Sequence, residues 1–159
     1  MVPFKRNAVI LALAIFIVDQ ASKWAILQLV MQPPRQIVIA PFFNLVLVHN
    51  TGISFGLFTG EDDLKRWVLI GAALAMTVAL ILWYRATEEP LVAYSAMLVV
   101  GGAIGNVVDR FLHPGVVDFL DFHLAGYHWP AFNVADAAIV IGAALLAYDS
   151  LFGARAAAK

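Results

Sequence analysis

Residues 106–136 read NVVDRFLHPGVVDFLDFHLAGYHWPAFNVAD, and they hold four of the chain's 11 acidic residues: Asp109, Asp118, Asp121 and Asp136. Long apolar runs flank the stretch, Leu91 to Leu112 before it and Phe132 to Phe152 after it. Runs of that length read as membrane helices, because roughly 20 residues cross the hydrocarbon core. Carboxylates are costly at the ends of such helices, so each of the four needs a partner or a task.

The composition agrees with a membrane setting. The 159 residues are 62% hydrophobic and 13% charged, with a mean hydropathy of +0.85. A soluble domain is nearer about half apolar and about a quarter charged. The net charge of −1 provides no basic face, so no nucleic-acid partner is expected. The absence of cysteine excludes disulfides, thiolate nucleophiles and thiolate metal sites within the chain. A single integral membrane domain spanning 1–159 is expected, with no repeats and only a short Ala-rich tail at Ala154–Ala158.

Two further apolar runs bring the spans to four, at about 8–30, 64–84, 91–112 and 132–152. The first could be read as a cleaved signal peptide. However, the helical pattern resumes after Lys23 with Trp24-Ala25-Ile26-Leu27, which favours a retained helix. Asp19 and Lys23 stand at i,i+4 and share a helix face. Either they form a stabilising ion pair facing the bundle interior, or they take part in substrate binding. In the second run Gly71, Ala72, Ala73, Ala75 and Ala79 permit close helix packing, and Trp67 and Trp83-Tyr84 suit the interfacial belts. Gly101, Gly102 and Gly105 mark close approach on the third.

Between the first two spans lies the longest polar excursion. Pro33-Pro34 ends the helix, Ile37-Val38-Ile39 and Asn44 to Val48 read as strands, and His49-Asn50-Thr51-Gly52 reads as a turn. Ile53 to Phe58 is apolar again, and Glu61-Asp62-Asp63 reads as a solvated turn. The fold class is therefore membrane all-α: a four-transmembrane-helix bundle with a small surface β-sheet and a second, aromatic surface segment over Val116 to Pro130. Lys5, Arg6, Arg85, Arg155 and Lys159 lie on the side of the termini, against Arg35, Lys65 and Arg66 opposite. That bias puts both termini in the cytoplasm and residues 32–63 and 113–131 outside it.

Asp118 follows a turn just outside the third helix and Asp136 lies about one turn inside the fourth, so antiparallel neighbours bring both to one depth. Two carboxylates in one site share a proton. One then takes a proton from water while the other protonates a carbonyl or leaving group, which suffices for peptide hydrolysis. The alternative is that Asp118 caps a turn and Asp136 bonds backbone groups. Asn50, Asn106 and Asn133 are candidates for amide contacts, and Arg110 for a lipid phosphate or a carboxylate. His113, His123 and His128 fit no compact zinc spacing, and no metal is expected. A Ser54–Lys23 nucleophile pair has no local support.

Taken together, Asp19-Gln20-x-x-Lys23, Asn50-Thr51-Gly52, Gly105-Asn106-x-x-Asp109-Arg110, Val116-Val117-Asp118-Phe119 and Phe132-Asn133-x-Ala135-Asp136 resemble the successive signature boxes of lipoprotein signal peptidase (signal peptidase II). The match runs in order over nearly the whole chain. It departs at Ile53-Ser54, where small alanines are common, and it assigns no role to Asp121. The resemblance implies a bacterial inner-membrane aspartyl endopeptidase whose sheet is a periplasmic cradle. Such an enzyme cleaves diacylglyceryl-modified prolipoproteins just before the lipidated cysteine. It implies Asp118 and Asp136 as catalytic pair, and Asp19, Lys23, Asn50, Gly52, Asn106, Arg110 and Asn133 as substrate-binding or supporting residues. No cofactor is implied; membrane lipids are expected partners, and the chain is expected to be a monomer. Two rival readings stand beside it. A small ion- or proton-coupled carrier would use Asp19, Lys23, Asp109 and Asp136 as a relay, but the second span has no interior ionisable group. A non-enzymatic scaffold would tolerate loss of Asp118 and Asp136.

Overall fold

A computed structural model describes residues 2–52 and 62–153. The expectations for Ile53–Phe58, Ser54, Glu61, Arg155 and Lys159 lie outside the described residues. Four helices, α1 (Pro3–Ala25), α2 (Asp62–Ala86), α3 (Pro90–Leu112) and α4 (Val134–Tyr148), alternate with four strands, β1 (Ile37–Ala40), β2 (Phe43–Asn50), β3 (Val116–Leu124) and β4 (Tyr127–His128). One wide turn extends α1 through Ile26–Val30 and another extends α4 through Asp149–Gly153. The four helical segments, Pro3–Val30, Asp63–Ala86, Pro90–Leu112 and Val134–Gly153, are each long and apolar enough to cross a membrane.

Helix α3 is the hub. In its most apolar window 72% of residues are buried, against 17–22% for the other three, and all three pack on it. Pro90 starts it, where a missing N–H costs nothing. His113 ends it in extended conformation, as the residue before Pro114 must be. Small residues let its neighbours close in. A Cβ on Gly101 would stand 2.6 Å from the Ala12 carbonyl oxygen of α1, and one on Gly102 would overlap the Ala135 carbonyl oxygen of α4. The small residues of α2 do otherwise. Gly71, Ala72, Ala75 and Ala79 are exposed, and α2 meets the bundle through Ile70, Thr77, Leu80 and Tyr84. Tyr84 is no belt residue: it is buried, and its hydroxyl donates to the Lys5 carbonyl at 3.0 Å.

The sheet is antiparallel in the order β1-β2-β3-β4. The two surface segments expected to be separate are thus one structure, with Asn50 opposite Val116, Val48 opposite Asp118 and Asn44 opposite Asp121. The reason is that β-branched strands with unpaired edges pair wherever register allows, and this pairing spans more than 60 residues of sequence. His49 and Asn50 end β2 rather than opening a turn, and Gly52, two residues on, has a φ of +101°. Under the sheet Ile26, Met31 and Phe119 form a small apolar core joined by Val30, Ile37, Leu45 and Leu47. A separate core, built on Ala8, Ala12, Leu80, Ala93, Ala96 and Val100, holds the opposite end of the bundle. Much apolar surface stays exposed on the bundle, Ile17, Leu29, Trp67, Leu82 and Val140 among it.

Candidate active site

Asp118 lies within β3 and is 1% exposed. Its Oδ1 accepts from Asn133 Nδ2 at 2.7 Å and its Oδ2 from Asn50 Nδ2 at 2.9 Å. Asp136 lies in the first turn of α4. It forms a capping box with Asn133: Asn133 Oδ1 accepts from the Asp136 main-chain N at 2.9 Å, and Asp136 Oδ2 accepts from the Asn133 main-chain N at 3.2 Å. Asp136 Oδ1 accepts from Asn106 Nδ2 at 2.7 Å. One fully buried asparagine, Asn133, therefore touches both carboxylates. Asp136 bonds the backbone, as one of the two readings expected, and its charge bears on Asp118.

The amides cannot flip. An asparagine side chain presents oxygen and nitrogen almost interchangeably unless an obligate donor fixes its oxygen. Here each oxygen is so fixed, Asn50 Oδ1 by the Gly52 N–H at 3.0 Å, Asn106 Oδ1 by Lys23 Nζ at 3.1 Å, and Asn133 Oδ1 by the Asp136 N–H. Each NH2 is left facing a carboxylate. Gly52 earns its place twice: its φ is positive, and a Cβ there would meet Leu69 at 2.5 Å.

Behind the pair is a buried ionic cluster. Lys23 Nζ stands 2.7 Å from Asp19 Oδ2 and 2.8 Å from Asp109 Oδ2, with all three side chains at most 3% exposed. Gln20 Nε2 donates to Asp109 Oδ1 at 3.0 Å and to Asp19 Oδ2 at 3.2 Å. The i,i+4 spacing of Asp19 and Lys23 was readable in the sequence. The part of Asp109 and Gln20 was not, and the available signal was an acid without an assigned partner at the end of the third span. Asp109 and Arg110 do have separate partners, as consecutive helical residues must. Arg110 Nη1 donates to the Asn106 carbonyl at 3.1 Å and lines an open cleft of about 230 Å³ with Asn50, Thr51, Asp63, Arg66, Pro114 and Gly115.

Outside the spans, two carboxyls are shifted. Burial, chiefly, and then the neighbouring Asp136 charge push Asp118 up to about 6, against the pull of the Asn50 and Asn133 amides and Lys23. Asp121 is held below its ordinary value, chiefly by the Asn44 amide at 2.8 Å and then by His128, whose Nδ1 lies 2.8 Å away. Asp121 thus staples β2, β3 and β4 together and is no part of the pair. His123 and His128 stack at 4.8 Å, while His113 lies beside His49 at 6.4 Å. Among the described residues no three His, Cys, Asp or Glu side chains are grouped to hold a metal.

Four apolar helices under a small sheet, enclosing an asparagine-bridged carboxylate pair, define an integral membrane protein with the groups of an acid–base hydrolase. Comparison with known proteins narrows this. The family described as signal peptidase (SPase) II matches residues 11–152. The lipoprotein signal peptidase of Methylocella silvestris is 42% identical over 158 residues, covering 99% of this chain and 92% of that protein. That of Burkholderia vietnamiensis is 44% identical over 144 residues, covering 89% and 85%. A solved bacterial membrane enzyme, determined by the in meso method at 1.9 Å, superposes with a TM-score of 0.81 at 28% identity, covering 92% of this chain and 93% of that one. The chain belongs to the signal peptidase II family of aspartic peptidases, multi-pass membrane proteins that remove signal peptides from prolipoproteins. Carrier and scaffold readings fall away with that membership.

Proposed function

We propose that Asp118 and Asp136 are the catalytic pair and that they hydrolyse the prolipoprotein bond just before the diacylglyceryl-modified cysteine through one activated water. The observation that carries this is Asn133, which bonds both carboxylates, Asp118 through its side-chain amide and Asp136 through its main-chain N–H. Their environments differ in the way an acid–base pair requires. Asp136 sits at a helix N-terminus and accepts a main-chain N–H. Asp118 is buried on a strand with its pKa raised, which favours the neutral acid. Ionised Asp136 takes a proton from water as the water oxygen bonds the scissile carbonyl carbon. Protonated Asp118 donates to the carbonyl oxygen. Collapse of the tetrahedral intermediate breaks the C–N bond as the proton held by Asp136 passes to the departing nitrogen and one diol hydroxyl returns its proton to Asp118, which restores the starting pair. The products are a free signal-peptide carboxyl end and a lipidated N-terminal cysteine, and water is the sole co-reactant.

The supporting residues follow. Asn50 and Asn106 orient Asp118 and Asp136; Gly52 holds Asn50; Asp19 and Lys23 hold the frame. The cleft lined by Arg110 and Asn50 takes substrate carbonyls beside the scissile bond. Basic residues at Lys5, Arg6 and Arg85 support cytoplasmic termini; with that orientation the sheet and the pair face the periplasmic side of the inner membrane. Exposed Tyr127 and Trp129 suit contact with lipid headgroups there. The enzyme works as a monomer, because the whole pair lies within one chain. The test is cleavage of a diacylglyceryl-modified prolipoprotein by purified protein in detergent with chelator present. Wild type should cleave, and Asp118→Asn and Asp136→Asn should be inactive while folded. Near-normal turnover by either variant would remove the pair assignment.

A further inference from the structure

The main-chain N–H immediately before each aspartate of the pair is held by a buried carboxylate, and the two carboxylates share one cation. Asp19 Oδ1 accepts from the Ala135 N–H at 2.9 Å, one residue before Asp136. Asp109 Oδ2 accepts from the Val117 N–H at 3.0 Å, one residue before Asp118. Lys23 Nζ joins Asp19 Oδ2 to Asp109 Oδ2, and Gln20 Nε2 braces the same two side chains on their other side. We propose that Asp19, Lys23 and Asp109 act as a spacer that sets the separation of Asp118 and Asp136, with Asp109 a positioning residue for Asp118 as Asp19 is for Asp136. The inference rests on the reading of that pair as catalytic.

The physical case is the cost of the arrangement. Three buried ionic groups are an expensive way to hold a bundle together, and an apolar contact of the same volume stabilises at least as well. What an ion cluster adds is directional, short bonding between four elements, here α1, α3, β3 and α4. The third ammonium proton completes the set: Lys23 donates to Asn106 Oδ1, whose amide faces Asp136. A change in the length of one arm is thereby passed to the pair through a single main-chain bond. Asp109 bonds Lys23, Gln20 and the Val117 N–H, and it acts on Asp118 through that main-chain bond.

The test lengthens one arm and keeps its charge. Asp109→Glu adds a methylene between α3 and the Val117 N–H. A displacement of about 1 Å in a catalytic group costs on the order of 10²-fold in rate. Initial rates on the diacylglyceryl-modified prolipoprotein, at fixed detergent ratio, give kcat per folded enzyme and KM separately, with folding scored by monodisperse yield and thermal midpoint. We expect kcat to fall by roughly 10²-fold with KM within about twofold. Gln20→Met, which removes the brace and keeps the volume, decides the matter if Asp109→Glu does not fold. It should lower kcat by roughly tenfold, again with unchanged KM. A kcat per folded enzyme close to wild type, or a rise in KM at constant kcat, would overturn the spacer. Activity in Asp118→Asn run alongside would instead overturn the pair, and the spacer with it.

Discussion

Raising the pH through about 6 should silence the free enzyme, because that is where Asp118 loses its proton. Only the form with Asp118 neutral and Asp136 ionised performs the proposed reaction. Burial and the Asp136 charge lift Asp118 from 3.8 to about 6. A shift of about 2 units is a preference of about 3 kcal/mol for the neutral acid. Half of the free enzyme is competent at the midpoint, and kcat/KM falls about tenfold for each further pH unit. That limb belongs to the coupled pair rather than to one residue. The sharper test is Asn50→Ala. The Asn50 amide at 2.9 Å is the strongest influence holding Asp118 down. A hydrogen bond to a charged group is worth about 1.5–3 kcal/mol, so its loss should move the limb up by about one to two units. The assay is kcat/KM for prolipoprotein cleavage at low substrate over the acid-to-neutral range, for both proteins. A wild-type profile flat through the midpoint, or an Asn50→Ala limb that stays put or moves to lower pH, would refute the argument.

Three further outcomes are expected. Because folding raises the Asp118 pKa, its contribution to stability is full below the ordinary 3.8 and is lost as pH rises through about 6. Asp118→Asn should therefore lack that part of the wild-type decline in thermal midpoint between those values, and parallel curves would count against it. Asp19→Ala strips Lys23 of one buried partner and orphans the Ala135 N–H, a loss on the order of 3–5 kcal/mol. Asn50 is exposed, so Asn50→Ala should give the higher folded yield; equal, well-folded yields would argue against a structural ion pair. Finally, Gly102→Val forces a Cβ into the Ala135 carbonyl beside Asp136 and should depress cleavage by at least tenfold, as a displacement of well under about 1 Å already would. Gly71→Val meets open space, so it should cleave like wild type, and equal activity in the two variants would show that the α3–α4 approach does not govern the site.

Local pattern carried the helices and the strands β1 and β2, whereas β3 and β4 were expected only as an aromatic surface segment. Pro33-Pro34 and His113-Pro114-Gly115 end helices by covalent geometry, and they read the same way in sequence and in space. The register of β2 on β3 was illegible, since nothing near Asn50 names Val116 as its partner. The small residues of α2 misled for a related reason: small side chains permit close packing without choosing a side, and here they face outward while Gly101 and Gly102 of α3 take the contacts. Asp118 and Asp136 stood out as charges that a membrane setting penalises. Asp109 stood out equally, but its task depends on Lys23 in another helix and on the N–H of Val117, and no spacing rule connects those three.

The two aspartates show how a symmetric demand is met by unsymmetric means. Hydrolysis needs one carboxylate charged and one neutral at the same moment, and identical surroundings would leave that choice to chance. Placing Asp136 on a helix N-terminus supplies a fixed main-chain donor and the favourable end of the helix dipole. Placing Asp118 on a strand, where the Asn50 and Asn133 amides and the Lys23 charge offset its burial only in part, supplies neither. The difference then comes from secondary structure and not from residue type, so an Asp118→Glu exchange should misplace the acid without reversing the roles. Measuring the alkaline limb in that variant separates the two: a limb that stays near the wild-type value while kcat falls places the asymmetry in the backbone, and a limb that collapses toward an ordinary carboxylate value places it in the side-chain contacts.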